Sequence, residues 1–395
     1  MAALIAVAIS VRGGSAMADA PCVVTSSQPR PELTNLFIRK EGWTGADGAY
    51  SIAVGDHRSV WLFGDTWIGS IQDGHRVHST MINNSAAVQD TNDQLKALTF
   101  FFNTTNGKAD ANGKADANGK AEASGTGDAD GKAEAIFKPE DADTWFWPGD
   151  GVAIDGKMYV FLHVVRRKPG DSSSWGFEGA GHELVQIDNP LDEPTSWRMH
   201  REHLPSAIEW GNSVLADDAY IYAYGEFPAA AQGYFKHPIV LARLPLNKLK
   251  NMDADAWEYW CHASSGSTSG VWRGAQPENP FVLMLDGAPE MTVSRVLGIP
   301  GYIATYIRAG IGQDISIRHS DRPEGPWGEP QTVYHCPEHS EGSFLYGAKA
   351  HSELATTHGE LVLTYCRNSE SLQENVDHPE IYVPHGVTVI LEPRN

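Results

Sequence analysis

The chain is 395 residues long, enough for one large domain with a substantial core. Its 50 Asp and Glu against 30 Lys and Arg give a formal net charge of -20, which repels phosphate and excludes nucleic acid and anionic membranes as natural partners. A neutral or cationic partner fits that balance, and 12 Trp with 13 Tyr provide flat amphipathic surfaces for one.

The chain opens on MAALIAVAISVRGGSAMADAP. Residues 2–11 form a short apolar core, and Ala16-Met17-Ala18 is a small-x-small cleavage site. Residues 1–18 therefore read as a signal peptide and 19–395 as the mature domain, secreted or periplasmic in a bacterium. The apolar core is about half the length of a spanning helix, and no other run approaches it, so no membrane anchor is expected. Cys22, Cys261, Cys336 and Cys366 match no zinc spacing and are too few for a disulfide scaffold. One or two disulfides would suit an exported protein.

Beyond CVVT and NLFIRK, the first recurring unit is GADGAYSIAVGDHRSVWLFGDTW: a short strand, a turn, then a strongly apolar strand ending in polar residues. After LTFFF comes a six-residue polar repeat over 106–135, NGKADA NGKADA NGKAEA SGTGDA DGKAEA, with no large apolar side chain. Such a segment buries too little to offset its ordering entropy, so a disordered insert is expected at 104–135. Four further units follow: WFWPGDGVAIDGKMYVFLHVV, IEWGNSVLADDAYIYAYGEF, PEMTVSRVLGIPGYIATYIRAG and AKAHSELATTHGELVLTYCRN. Each carries turn chemistry suited to a hairpin and a second strand rich in Val, Ile, Tyr and Leu. Five such repeats of about four strands predict an all-β fold, a single five-bladed β-propeller spanning 19–395. Either the C-terminal HGVTVILE or the N-terminal CVVT and NLFIRK segments can close the last blade.

In a blade the start of the first strand and the end of the second lie on one face. The starts supply Asp47, Asp150, Glu209, Glu290 and His351 with Glu353; the ends supply Asp65, His163, Glu226, Arg308 and Arg367. Asp155, Asp217 and Asp218 fall in the opposite turns and read as turn formers. Trp43, Trp67, Trp145, Trp147 and Trp210 lie near the acids. Indoles beside carboxylates suit carbohydrate, because sugar C–H faces stack on aromatics while hydroxyls bond to acids. Inter-blade packing is the other role open to those indoles.

DGAYSIAVGDHRSVWLFGDTWIG followed by FWPGDGVAIDGKMYVF resembles bacterial propellers of the domain-of-unknown-function type, some of them D-arabinan-cleaving glycoside hydrolases. The chain is more distantly similar to five-bladed arabinanases, β-xylosidases and invertases. That distant resemblance places the acids on innermost strands of the first three blades, implicating Asp47, Asp150 and Glu209. It also implies that a structural Ca²⁺, held mainly through water, can sit in the channel near His351, with no cofactor required. The invertase signature, the sialidase Asp-box and the FRIP-like arginine motif are absent.

Glycosidic cleavage by two carboxylates needs one protonated acid and one ionised partner. Asp47 or Asp65 is expected as base or nucleophile, with Glu209, Glu226 or Asp150 as acid or modulator. Trp43, Trp67, Trp147, Trp210, His163, Glu290, Arg308 and Arg367 are expected to contact substrate. The protein is expected to act as a monomer on carbohydrate; a non-catalytic carbohydrate-binding propeller is the alternative.

Overall fold

A computed structural model describes residues 22–55, 57–92, 98–105, 110–112, 132–171, 173, 175–204, 206–231, 237–337 and 342–394. The expected signal peptide and most of the expected insert lie outside the described residues. Among the described residues no helix is long and apolar enough to cross a membrane.

The fold is all-β, and the described residues form six antiparallel sheets. Five are meanders that begin with the hairpins read from sequence. Sheet 1 starts with Tyr50–Gly55 and Arg58–Phe63, sheet 2 with Thr144–Ile154 and Lys157–Arg167, and sheet 3 with Glu209–Ala216 and Tyr220–Glu226. Sheet 4 starts with Thr292–Val296 and Ile299–Ile307, and sheet 5 with Ser343–Ala350 and Glu360–Ser369. In sheet 5 both expected closing segments take part. Pro384–Pro393 is its third strand and Cys22–Pro29 its outermost, paired antiparallel, so the first described strand is joined to the last. NLFIRK adds no strand; Asn35–Phe37 is a 3-10 turn.

The second strands are continuous apolar runs because both of their faces are buried. Along Arg58–Phe63, Val60 and Leu62 pack with Phe146, Val160 and Leu162 of sheet 2, while Trp61 and Phe63 pack with Leu354 and Val362 at sheet 5. The same alternation continues from sheet to sheet. Tyr159 and Phe161 of sheet 2 meet Ile221 and Ala223 of sheet 3. Tyr222 and Tyr224 of sheet 3 meet Tyr302 and Tyr306 of sheet 4, and Ile303 and Ile307 meet Leu361 and Leu363 of sheet 5. Five apolar interfaces thus join 1 to 2, 2 to 3, 3 to 4, 4 to 5 and 5 to 1. Each fully buried Val, Leu, Ile or Phe contributes about 1.5–3 kcal/mol.

The sixth sheet, of Glu41–Ala46, Thr66–Gln72 and His75–Ile82, flanks sheet 1 and has no counterpart among the described residues. It was not anticipated from sequence. Cys22, Cys261, Cys336 and Cys366 are all buried and none is disulfide-bonded, so the one or two disulfides that would suit an exported protein are not formed. At the edge of the insert, Ala133 and Glu134 pair with Thr104 and Asn103, and Asp110–Asn112 pairs with the same strand from its other end.

Candidate active site

Asp47 and Asp65 mark the points where the chain passes between sheet 1 and the flanking sheet. Tyr50 pairs with Leu62 in sheet 1, and Ala46 pairs with Thr66 in the flanking sheet. The two ladders share one register, so Asp47 and Asp65 stand opposite each other in the gap between them. The glycine before Asp65 makes the approach feasible: a Cβ on Gly64 would lie 2.5 Å from Asp47 Oδ1. Backbone bonds from Ala49 and Gly64, both 3.1 Å to the Asp47 carbonyl, fix the turn.

Two phenols hold the Asp47 carboxylate. Tyr346 donates to Oδ2 at 2.6 Å and Tyr382 at 2.9 Å. Tyr382 adopts φ 90°, a strained conformation for a non-glycine residue. Asp65 Oδ1 accepts from the Trp147 indole at 2.9 Å and from Asn83 at 3.2 Å. Burial pushes the Asp47 carboxyl up to about 7, with Glu290 and Asp65 adding to the rise and the two tyrosines opposing it. Burial likewise pushes Asp65 to about 6, opposed by Trp147, Asn83 and the Arg167 charge. Both carboxyls are therefore held above the usual carboxylate range by the same cause, burial.

Glu290 belongs to this group through charge. Its Oε1 lies 2.8 Å from Lys349 Nζ, and Lys349 is 0 % exposed, with its ammonium over the Tyr50 ring at 4.3 Å. The absence of a side chain at Gly347 leaves room for Glu290: a Cβ there would be 3.1 Å from Oε2.

Asp150 and His351 do not sit where the sequence placed them. The innermost strand of sheet 2 begins at Thr144, so Asp150 falls within it rather than at its start. Its carboxylate accepts from Gly151 N at 2.8 Å, Val214 N at 2.7 Å and Ser213 Oγ at 3.3 Å, tying sheet 2 to sheet 3. Burial raises it to about 7. The innermost strand of sheet 5 ends at Ala350, so His351 follows that strand instead of starting it. Its Nδ1 lies 2.6 Å from Ser51 Oγ and its Nε2 2.8 Å from Thr364 Oγ1. Burial, with Lys349 adding to it, lowers this imidazole to about 3, so it is neutral. With both ring nitrogens engaged by hydroxyls, His351 does not fit the role of a Ca²⁺ ligand. Among the described residues no group of three or more His, Cys, Asp or Glu could hold a metal.

The remaining charged candidates form a second network on sheets 3 and 4. Glu209 opposes Glu226 in register, and Glu226 Oε2 lies 2.9 Å from His237 Nδ1. Burial and the neighbouring Glu226 raise the Glu209 carboxyl. Arg308 donates at 2.7 Å to the buried Asp286, which Arg318 also binds at 2.8 Å. Arg367 pairs with Leu345 in the first hairpin of sheet 5.

The indoles divide by burial. Trp43 is 1 % exposed, stacked on Phe100 with centroids 4.2 Å apart, and donates to Ser85. Trp67 and Trp210 are likewise buried, Trp210 in the cluster between sheets 2 and 3. All three lie in the packed core, with Trp210 also lining a small cavity beside Trp257 and Tyr259. Trp147 does reach the acids. His163 lies opposite Trp147 in the sheet 2 hairpin, its ring edge-on to His182 at 5.3 Å. Burial lowers it to about 4, leaving it neutral. Tyr346, Tyr382, Asn83 and Lys349 were missed from sequence. Tyr346 could have been found by starting the sheet 5 strand at SFLYGAKA; Tyr382 has no sequence signal.

A family model described as a domain of unknown function, DUF5005, matches residues 31–389. Among solved structures, a protein from Bacteroides ovatus ATCC 8483, provisionally assigned as a hydrolase, superposes with a TM-score of 0.71 at 18% identity. The match covers 92% of this chain and 90% of that one, so the two share a fold. A GH43_1 enzyme from Xanthomonas citri gives a TM-score of 0.44 at 13% identity, covering 92% of each chain. An alpha-L-arabinofuranosidase from Lactobacillus brevis gives 0.44 at 13% identity, covering 89% of this chain and 90% of that one. No curated protein matches the sequence.

Proposed function

The chain belongs to the DUF5005 family, and on that premise we propose that it is a secreted glycoside hydrolase, a five-bladed β-propeller that cleaves a neutral polysaccharide or oligosaccharide with Asp47 and Asp65. The five consecutive apolar interfaces support the blade count. The observation that carries the activity is the opposed pair of carboxylates, both titrating near neutrality and lined by an indole.

Asp47, raised by burial and by the neighbouring Glu290 and Asp65 charges, is the group that keeps a proton, and Asp65 is its ionised partner. Asp47 Oδ1, the oxygen that the tyrosines leave open, donates that proton to the leaving glycosidic oxygen. The phenols of Tyr346 and Tyr382 then stabilise the carboxylate it becomes. Asp65, held by Trp147 and Asn83 through Oδ1, uses Oδ2 to attack the anomeric carbon or to activate water. Rate should fall below about 6 as Asp65 protonates and above about 7 as Asp47 loses its proton.

The test is a panel of arabino-, xylo- and galacto-oligosaccharides and their polymers, assayed with the wild type, Asp47→Asn and Asp65→Asn. Each substitution is expected to lower kcat about 10²–10⁴-fold. Cleavage that survives both changes would refute the assignment.

A further inference from the structure

A continuous series of rings links the two acids. Trp147, which donates to Asp65, meets Phe177 edge-on with centroids 4.8 Å apart. Phe177 meets Trp175 at 6.4 Å, Trp175 meets Phe344 at 5.9 Å, and Phe344 meets Tyr346 at 5.4 Å. Tyr346 in turn donates to Asp47. The series starts at one carboxylate, crosses from sheet 2 to sheet 5, and ends at the other.

Trp175 differs from the other rings of the series. It stands between strands Lys157–Arg167 and Phe177–Ile187, yet its indole N–H is tethered to the Glu370 carbonyl beyond sheet 5 at 3.2 Å. It is 45% exposed. An indole held in place with much of its apolar area in water gives up conformational freedom without gaining burial. A ligand laid on it recovers that burial without further ordering cost. The occupant must be polar enough to bond the flanking carboxylates, flat enough to stack, and free of negative charge, given the net charge of -20. A neutral sugar unit meets all three conditions. A single row of rings bordered by acids is a poor match for a protein partner, which favours a broad apolar patch.

We propose that Trp175 forms an outer sugar-stacking subsite, which binds a unit of the glycan beyond the bond that Asp47 and Asp65 cleave. The preferred substrate is then a chain of several neutral units, not a disaccharide. This rests on the glycoside hydrolase reading, and its test separates the two.

Binding of arabino-, xylo- and galacto-oligosaccharides of increasing length is measured by calorimetry on the full-length Asp65→Asn protein, alone and with Trp175→Ala or Trp175→Phe added. Trp175→Ala should weaken binding of the longer chains about tenfold, as loss of an aromatic anchor does, and leave the disaccharide unaffected. Trp175→Phe should restore most of the affinity. Undiminished affinity for long chains, equal loss at every length, or no binding by any ladder would overturn the subsite. Length-dependent binding without cleavage by the wild type would leave the subsite standing and remove the hydrolase reading.

Discussion

Asp47→Asn should stabilise the protein at pH 8 and leave its stability at pH 4 nearly unchanged. The carboxyl rises from 3.8 to about 7 on folding, chiefly through burial. Between those values the unfolded chain has released the proton and the native state still holds it, so the native state binds more protons. The stability tied to this group is therefore complete below about 3.8 and is lost as pH rises through about 7. At ~1.36 kcal/mol per pH unit, that span corresponds to about 4 kcal/mol as an upper bound, since water and neighbouring dipoles soften the burial. Asparagine has the same shape, carries no charge, and offers a carbonyl oxygen to Tyr346 and Tyr382. A gain of about 1–4 kcal/mol at pH 8 is expected, which appears as a rise of a few degrees in melting temperature. Thermal unfolding of wild type and variant side by side at pH 4, 6 and 8 reads the difference directly. The gap should open as pH rises. A gap independent of pH, or a variant less stable than wild type at pH 8, would show that burial does not dominate at Asp47.

Glu290→Gln should cost about 3–5 kcal/mol in urea unfolding, because it leaves the fully buried Lys349 ammonium without its counter-charge. Adding Lys349→Met should recover much of that loss. Replacing residues 106–131 with an Asn-Gly turn should leave the melting temperature within a few degrees of wild type. Thr105 N already donates to the Lys132 carbonyl at 2.9 Å, and Lys132 N donates to Thr105 Oγ1 at 3.0 Å, so the two ends already meet as a hairpin.

The hairpin units were legible because each couples a turn signal to a strand of Val, Ile, Leu and Tyr, and the structure places all five at the start of a sheet. Where those strands begin was less legible. Thr144–Ile154 and Ser343–Ala350 extend several residues before the polar positions taken as their starts, and each passes through a register shift. Bulges of this kind leave no signature in composition. The flanking sheet was missed for a different reason. Glu41–Ala46 and Thr66–Gln72 pair across the first hairpin, with residues 47–65 lying between them, a contact invisible to a reading of one repeat at a time. The indoles could not be sorted either, since alternation assigns a residue to a face but both faces of these sheets are buried.

Two acid pairs in this fold are placed by the same rule, and their surroundings separate them. Glu209 opposes Glu226 across the hairpin of sheet 3, much as Asp47 opposes Asp65 where sheet 1 meets its neighbour. On sequence the two pairs are equivalent candidates, each an acid before a strand facing an acid after its partner. Glu226 is met by an imidazole at 2.9 Å, beside the Arg308–Asp286–Arg318 network, where local charges can balance one another. Asp47 is bonded by two phenols and Asp65 by an amide and an indole, which orient the carboxylates without an ion pair, although the Arg167 charge also favours ionised Asp65. With Glu290 adding negative charge, protonation becomes the less costly way to hold Asp47 in the folded state. A proton retained for that reason is one the site can give away, and on this ground the proposed chemistry is assigned to the aspartate pair and not to the glutamates.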